Sequence, residues 1–189
     1  MRLPVLLAIA LVAVPVGAAT PAHAAICSAS ASAVSGPAPL PVTFTADGCS
    51  GSAYHWDFGD SQAADGATVT HTFTPGAFTV TFSVDGSVVT TFAIESQALQ
   101  LDLPAVTQYG ETSSIAGRLL PAKNAVDVDL LLGDNVVTHT QTVADGSFVF
   151  NLRLETPGPY IARSGAVVSD PTIAPIQPRL TTSLKGERI

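Results

Sequence analysis

Charge is scarce in this chain. Asp, Glu, Lys and Arg make up 12% of the 189 residues, and only eight of them are Lys or Arg, against fifteen Asp or Glu. A net charge of −7 argues against a phosphate backbone as partner, since each contact there needs a cation. It argues equally against an anionic membrane surface. Cysteine is scarcer still, with two residues. No HExxH, CxxC, GxSxG or P-loop spacing occurs, so the common signatures of zinc hydrolysis, thiol redox chemistry, serine hydrolysis and nucleotide binding are missing. Beyond the first 24 residues no segment is long and apolar enough to span a bilayer. No amphipathic helical period stands out either.

What remains is apolar and strongly punctuated. Hydrophobic residues make up 47% of the chain, too many for disorder, and fifteen Gly and fourteen Pro fall between the apolar runs. That pattern is turns separating short strands. The first 24 residues stand apart. Arg2 precedes an apolar stretch from Leu3 to Val16, and Ala22-His23-Ala24 ends it with small residues. This is the form of a secretory signal peptide cut after Ala24, so the mature chain is expected to be exported. Nothing after the signal is expected to cross a membrane.

The mature sequence alternates. In "PVTFTA", Val42, Phe44 and Ala46 oppose Thr43 and Thr45. In "FTVTFSV", Phe78, Val80, Phe82 and Val84 oppose Thr79, Thr81 and Ser83. Period two with one apolar face marks a half-buried antiparallel strand. Asp85-Gly86 fits a two-residue hairpin turn. Strands are expected near 27–33, 41–46, 52–58, 67–73, 77–84 and 87–95. A second set begins near Leu99 with "TSSIAGRL". In "VDVDLLL", Val126, Val128, Leu130 and Leu132 are expected to share one face, with Asp127 and Asp129 on the other. "VVTHTQTV", "SFVFNLRL", "PYIARSG" and "AVVSD" follow. Each set suits a two-sheet sandwich. The expected fold is therefore all-β, two tandem Ig-like sandwiches at 25–97 and 98–174. Residues 175–189 form a linker or the start of a further repeat, because Gly186-Glu187 echoes Gly110-Glu111. Thr74-Pro75-Gly76-Ala77-Phe78 also returns as Thr156-Pro157-Gly158-Pro159-Tyr160, a Pro-Gly turn that delivers an aromatic into a core.

The most specific stretch is "YHWDFGD", residues 54–60. Tyr54, Trp56 and Phe58 alternate with His55 and Asp57, so the aromatics are expected to face a core. Gly59 and Asp60 fall at the strand end, where an aspartate can accept backbone N–H bonds and close a loop. A catalytic pair would need a cleft and matched partners, and no other acidic or histidine cluster in this module offers them. His71 reads as a structural histidine beside Phe73, and His55 and His139 as isolated residues on solvent faces.

These residues carry a family resemblance. Trp56-Asp57-Phe58-Gly59-Asp60, then His71 and Phe73, then Pro75, Gly76 and Phe78 before a Thr-Val strand, resemble a polycystic-kidney-disease (PKD) repeat over residues 27–96. The resemblance implies an Ig-like sandwich in which the motif is structural. It departs at Ser61, where the family usually has Gly, and at Phe73 and Phe78, where Tyr is commoner. The second block resembles bacterial Ig-like repeats of exported surface proteins, through Tyr109-Gly110-Glu111-Thr112, Gly117-Arg118-Leu119, Asp145-Gly146-Ser147-Phe148 and Tyr160. Some PKD relatives bind calcium. Asp47, Asp57, Asp60 and Asp65 are the oxygens that could serve here, but calcium needs six to eight converging oxygens. No catalytic residue, cofactor or metal is expected.

Export carries Cys27 and Cys49 into an oxidising compartment, where they are expected to pair. If strands 27–33 and 41–46 are antiparallel neighbours with the two cysteines directly opposite, the register is centred on residue 38. The expected role is a secreted, non-enzymatic spacer or adhesion module in contact with an extracellular protein or polysaccharide, cell-envelope association included. The alternative is an accessory module that targets a secreted hydrolase to its substrate.

Overall fold

The computed structural model describes residues 27–104 and 106–178. The signal segment 1–24 and the tail 179–189 lie outside the described residues. Every element is a strand. The first half holds β1 (Ser28–Ala31), β2 (Ser35–Pro37), β3 (Leu40–Asp47), β4 (Tyr54–Asp57), β5 (Ala63–Asp65), β6 (Thr68–Phe73) and β7 (Gly76–Val84). β8 (Ser87–Asp102) then leads into the second half. There follow β9 (Thr107–Gln108), β10 (Thr112–Leu120), β11 (Asp127–Leu132), β12 (Asn135–Gln141), β13 (Ser147–Arg153) and β14 (Pro159–Ser164), then β15 (Val167–Val168), β16 (Thr172–Ile173) and β17 (Ile176–Gln177).

Two sandwiches result. In the first, the sheet β1-β3-β6 faces β5-β4-β7-β8. Their inner faces bury Val42, Phe44, Trp56, Phe73, Val80, Phe82 and Ile94 in one cluster. Alternation puts the polar partners outside: Thr43 and Thr70, opposite one another on β3 and β6, share a hydroxyl hydrogen bond of 3.0 Å. In the second, β13-β10 and the end of β8 face β12-β11-β14-β15 over a separate core that includes Ile115, Val128, Leu130, Phe148, Phe150, Leu154 and Tyr160. The hairpin at Asp85-Gly86 is as expected, with φ of 49° and 80°.

β8 departs from the expected pair of separate strands. It runs sixteen residues without a break, from the first core to the second. Residues 87–96 pair with β7, and Ala98–Asp102 pair with β10. Between Ile94 and Leu99 stand only Glu95, Ser96, Gln97 and Ala98, with no Gly or Pro to end a strand. On the edge away from β7, the backbone groups of 95–97 are taken by β2 in parallel, and those beyond by β10. The strand is therefore paired across the junction. Ser96 is fully buried there and donates its hydroxyl to the Phe73 carbonyl at 3.0 Å.

Three further details differ from expectation. The strand expected at 27–33 stops at Ala31, and the Pro-rich segment after it contains β2, which crosses to the opposite sheet. The β1–β3 register pairs Ser28 with Asp47, one residue off the register that places Cys27 directly opposite Cys49. The disulfide nonetheless joins them. β3 ends at Asp47 and Gly48 takes a left-handed φ of 68°, so the chain turns and returns Cys49 to Cys27. In β11 the alternation breaks, because a register shift between Leu130 and Leu131 buries both.

Candidate functional site

The Trp-Asp-Phe-Gly-Asp stretch ends β4 and turns into the loop before β5. Trp56 is fully buried. Its indole stacks on Phe82 with centroids 4.2 Å apart, and the ring N–H donates to the Gly66 carbonyl at 3.0 Å. The polar end of the indole thus closes the β5–β6 turn while the ring fills the core.

The two aspartates of the motif are engaged locally. Asp57 Oδ1 accepts the Gly59 N–H at 2.8 Å, and Asp60 Oδ1 accepts the Gln62 N–H at 3.1 Å. These are consecutive side-chain turns of the kind aspartate favours. The other oxygen of Asp60 meets His71 Nε2 at 2.7 Å. A carboxylate only accepts, so the imidazole N–H donates. His71 lies flat on Phe58, centroids 4.1 Å apart and planes 3° from parallel, with Phe73 edge-on at 4.7 Å. Both members of the pair are mostly buried, with side chains 10% and 16% exposed. Asp60 therefore ties the β4–β5 loop to β6 on the facing sheet.

Backbone geometry fixes the same loop. Gly59 has φ of 76°, and a Cβ there would stand 2.5 Å from the Thr79 carbonyl oxygen on β7. Only glycine fits both limits. Ser61 also takes a positive φ, 71°. The departure from the family's usual Gly thus falls on a left-handed position.

His55 is not isolated as expected. It sits opposite Asp65 on β5, and the side chains meet at 2.7 Å in a solvent-exposed pair. Such a pair contributes little. Asp85 was legible only as a turn residue, yet its carboxylate also accepts the N–H groups of Ser52 and Ala53, at 3.2 and 2.9 Å. The signal for Asp65 and Asp85 lay in the pairing of β4 with β5 and β7, which sequence spacing does not reveal.

Asp57, Asp60 and Asp65 each serve a different local partner, and among the described residues no three His, Cys, Asp or Glu side chains converge as a metal site. No buried side-chain nitrogen or oxygen lacks a partner among the described residues. The motif is a staple for a loop, and its carboxylates do not converge on a cleft. In the second sandwich, Tyr160 ends the repeated Pro-Gly turn. Its hydroxyl donates to the Thr156 carbonyl at 2.9 Å, and burial raises its pKa. Asp145 caps the β12–β13 turn, and hydrogen bonds from the Ser147 side chain and backbone lower its pKa. Asp127 and Asp129 do not form a site: Asp127 accepts from Gln141 at 2.8 Å and Asp129 from Arg163 at 3.2 Å.

A family model described as PKD domain matches residues 18–92. No curated protein matches the chain. Among solved structures, fibronectin(III)-like modules of Clostridium thermocellum CbhA are 14% identical with a TM-score of 0.34, covering 85% of this chain and 100% of theirs. The ectodomain of the teleost fish polymeric Ig receptor is 11% identical with a TM-score of 0.36, covering 78% and 96%. The human OSCAR ligand-binding domain is 11% identical with a TM-score of 0.33, covering 79% and 97%.

Proposed function

We propose, from the PKD-domain match over residues 18–92 and the joined architecture of the two sandwiches, that the chain is a secreted, non-catalytic spacer that holds an extracellular partner or surface at a fixed distance and angle. One observation carries the reading: β8 runs unbroken from one core to the other. Two sandwiches joined by a flexible peptide would present their ends in many orientations. Here the junction is a paired strand. It is flanked by an ion pair between Glu95 of the first sandwich and Lys123 of the second.

The same reading assigns no chemistry to Trp56–Asp60. The motif's carboxylates are occupied by backbone N–H groups and His71, so a general base has no vacant partner there. Secretion rests on the signal-like first 24 residues. No helix among the described residues is long and apolar enough to cross a membrane. The partner belongs to the extracellular protein or polysaccharide class, and neither calcium nor another cofactor is required.

Retention on insoluble material tests the reading. The exported chain is expected to pass through cellulose, chitin and peptidoglycan columns without delay, and to scatter in solution as one stiff elongated particle. Retention on any of these polymers, abolished by substitutions on one face, would turn the assignment to the targeting of a secreted hydrolase. A scattering profile of two freely jointed bodies would remove the spacer role altogether.

A further inference from the structure

The two sandwiches expose equivalent ends, and only one of them is covered. Where the first sandwich meets the second, it presents three segments. These are the β2–β3 link with Ala38, the β6–β7 turn with Pro75, and Ala98, just past the β2–β8 pairing. They line a cleft of about 220 Å³, whose opposite wall includes Val168 and Asp170 of the second sandwich. The far end of the second sandwich presents the same three segments. These are the β9–β10 link with Tyr109, the β13–β14 turn with Pro157, and Pro178, just past the β9–β17 pairing. They line a cleft of about 330 Å³.

The correspondence extends to single bonds. The Ala38 N–H donates to the Gln97 carbonyl at 2.7 Å, and the Tyr109 N–H donates to the Gln177 carbonyl at 2.9 Å. In both places a short strand pairs in parallel with the closing strand of its own sandwich. Pro75 of Thr74-Pro75-Gly76 becomes Pro157 of Thr156-Pro157-Gly158. Ala98, which follows Gln97, becomes Pro178, which follows Gln177. The covered end buries Leu99 to 5% exposure, whereas the open end leaves Tyr109 51% exposed. Ile173, opposite Pro159 on the neighbouring strand, is 70% exposed. A cluster of exposed apolar side chains at one end of an otherwise well-patterned molecule marks a contact surface.

We propose that this far end is a docking face for a further β-sandwich module of the same class. Residues 179–189 lead into it as Ala98–Asp102 lead into the second sandwich. The occupant is fixed by continuity with the interface already present: the same three segments already seat a sandwich once in this chain. Gly186-Glu187, which repeats Gly110-Glu111, is the start such a module would have. The inference rests on the repeat within the fold and stands apart from the spacer reading, so either can fail alone.

The test is the full chain with residues 98–177 duplicated in tandem, the added copy entering directly from Gln177. Residual dipolar couplings report whether the copies tumble together. One alignment frame for both, split into two by Tyr109→Asp at the first copy, is the expected result. A folded added copy with its own frame, or a common frame indifferent to Tyr109→Asp, overturns the proposal. A second variant separates the copies by a Gly-Ser spacer, so that the added sandwich folds without docking. If that variant folds and the direct join does not, the face does not accept this entry and the proposal also falls. Concentration-dependent dimers of the unmodified chain that vanish on Tyr109→Asp would assign the face to self-association instead.

Discussion

Ser61 and Gly59 show how closely this fold depends on single backbone conformations. Both hold positive φ in the loop after β4, but only one is glycine. An L-residue in the left-handed region costs about 1–2 kcal/mol, partly offset because glycine loses more entropy on folding. Ser61→Gly is therefore expected to raise stability by roughly 0.5–1 kcal/mol, read as a higher denaturant midpoint at unchanged m-value. Gly59→Ala meets both the strained φ and the Thr79 carbonyl, and is expected to lose roughly 2 kcal/mol or more. Trp56→Ala removes a fully buried ring and is expected to cost about 3–5 kcal/mol. Asp57→Ala and Asp60→Ala each free a backbone N–H and are expected to cost about 1–3 kcal/mol. The Asp60 variant also leaves His71 without its acceptor and is expected to be the worse of the two. Stability left intact by either Asp variant, with a hydrolytic activity abolished, would show that the motif works as a catalyst.

The strands divide by how much of their reason lies within them. β3, β7, β10 and β13 alternate apolar and polar residues, and the alternation alone marks the buried face, because Val42, Phe44, Val80, Phe82, Phe148 and Phe150 follow it. The loop role of Asp57 and Asp60 was legible in the same way, from their place at a strand end. β2 and β5 were not legible. Ser35-Gly36-Pro37 and Ala63-Ala64-Asp65 have little strand propensity, and they are strands only because β8 and β4 offer backbone partners from elsewhere in the chain. The bulge at Leu130 and Leu131 is likewise set by β12, whose pairing shifts there. The cysteines fall between these cases. Their pairing followed from composition and export, while the register depended on the turn at Gly48. The bridge closes a 22-residue separation and ties β1, the first described strand, to the end of β3. Replacing both cysteines by Ala is expected to cost about 2–4 kcal/mol. Alkylation of the intact, denatured and unreduced chain is expected to modify neither cysteine. Two modified thiols per chain would contradict the bridge.

At the scale of the molecule, the central claim is that two sandwiches share one strand and therefore act as one body. A seven-stranded sheet, ordered β13-β10-β8-β7-β4-β5, passes from one sandwich into the other through β8. Bending at the junction would break the hydrogen bonds of β2 or β10 to β8. It would also expose Ser96, which is buried against Phe73. Four Gly-Ser residues inserted between Gln97 and Ala98 are expected to leave both cores folded and to release one from the other. Residual dipolar couplings on the unmodified chain test the claim most directly. The account expects the amides of residues 40–95 and of residues 112–164 to fit a single alignment tensor, with the same magnitude and orientation from either set. Two tensors of clearly different magnitude or axis, from cores that are each well folded, would show that β8 bends in solution and would contradict it.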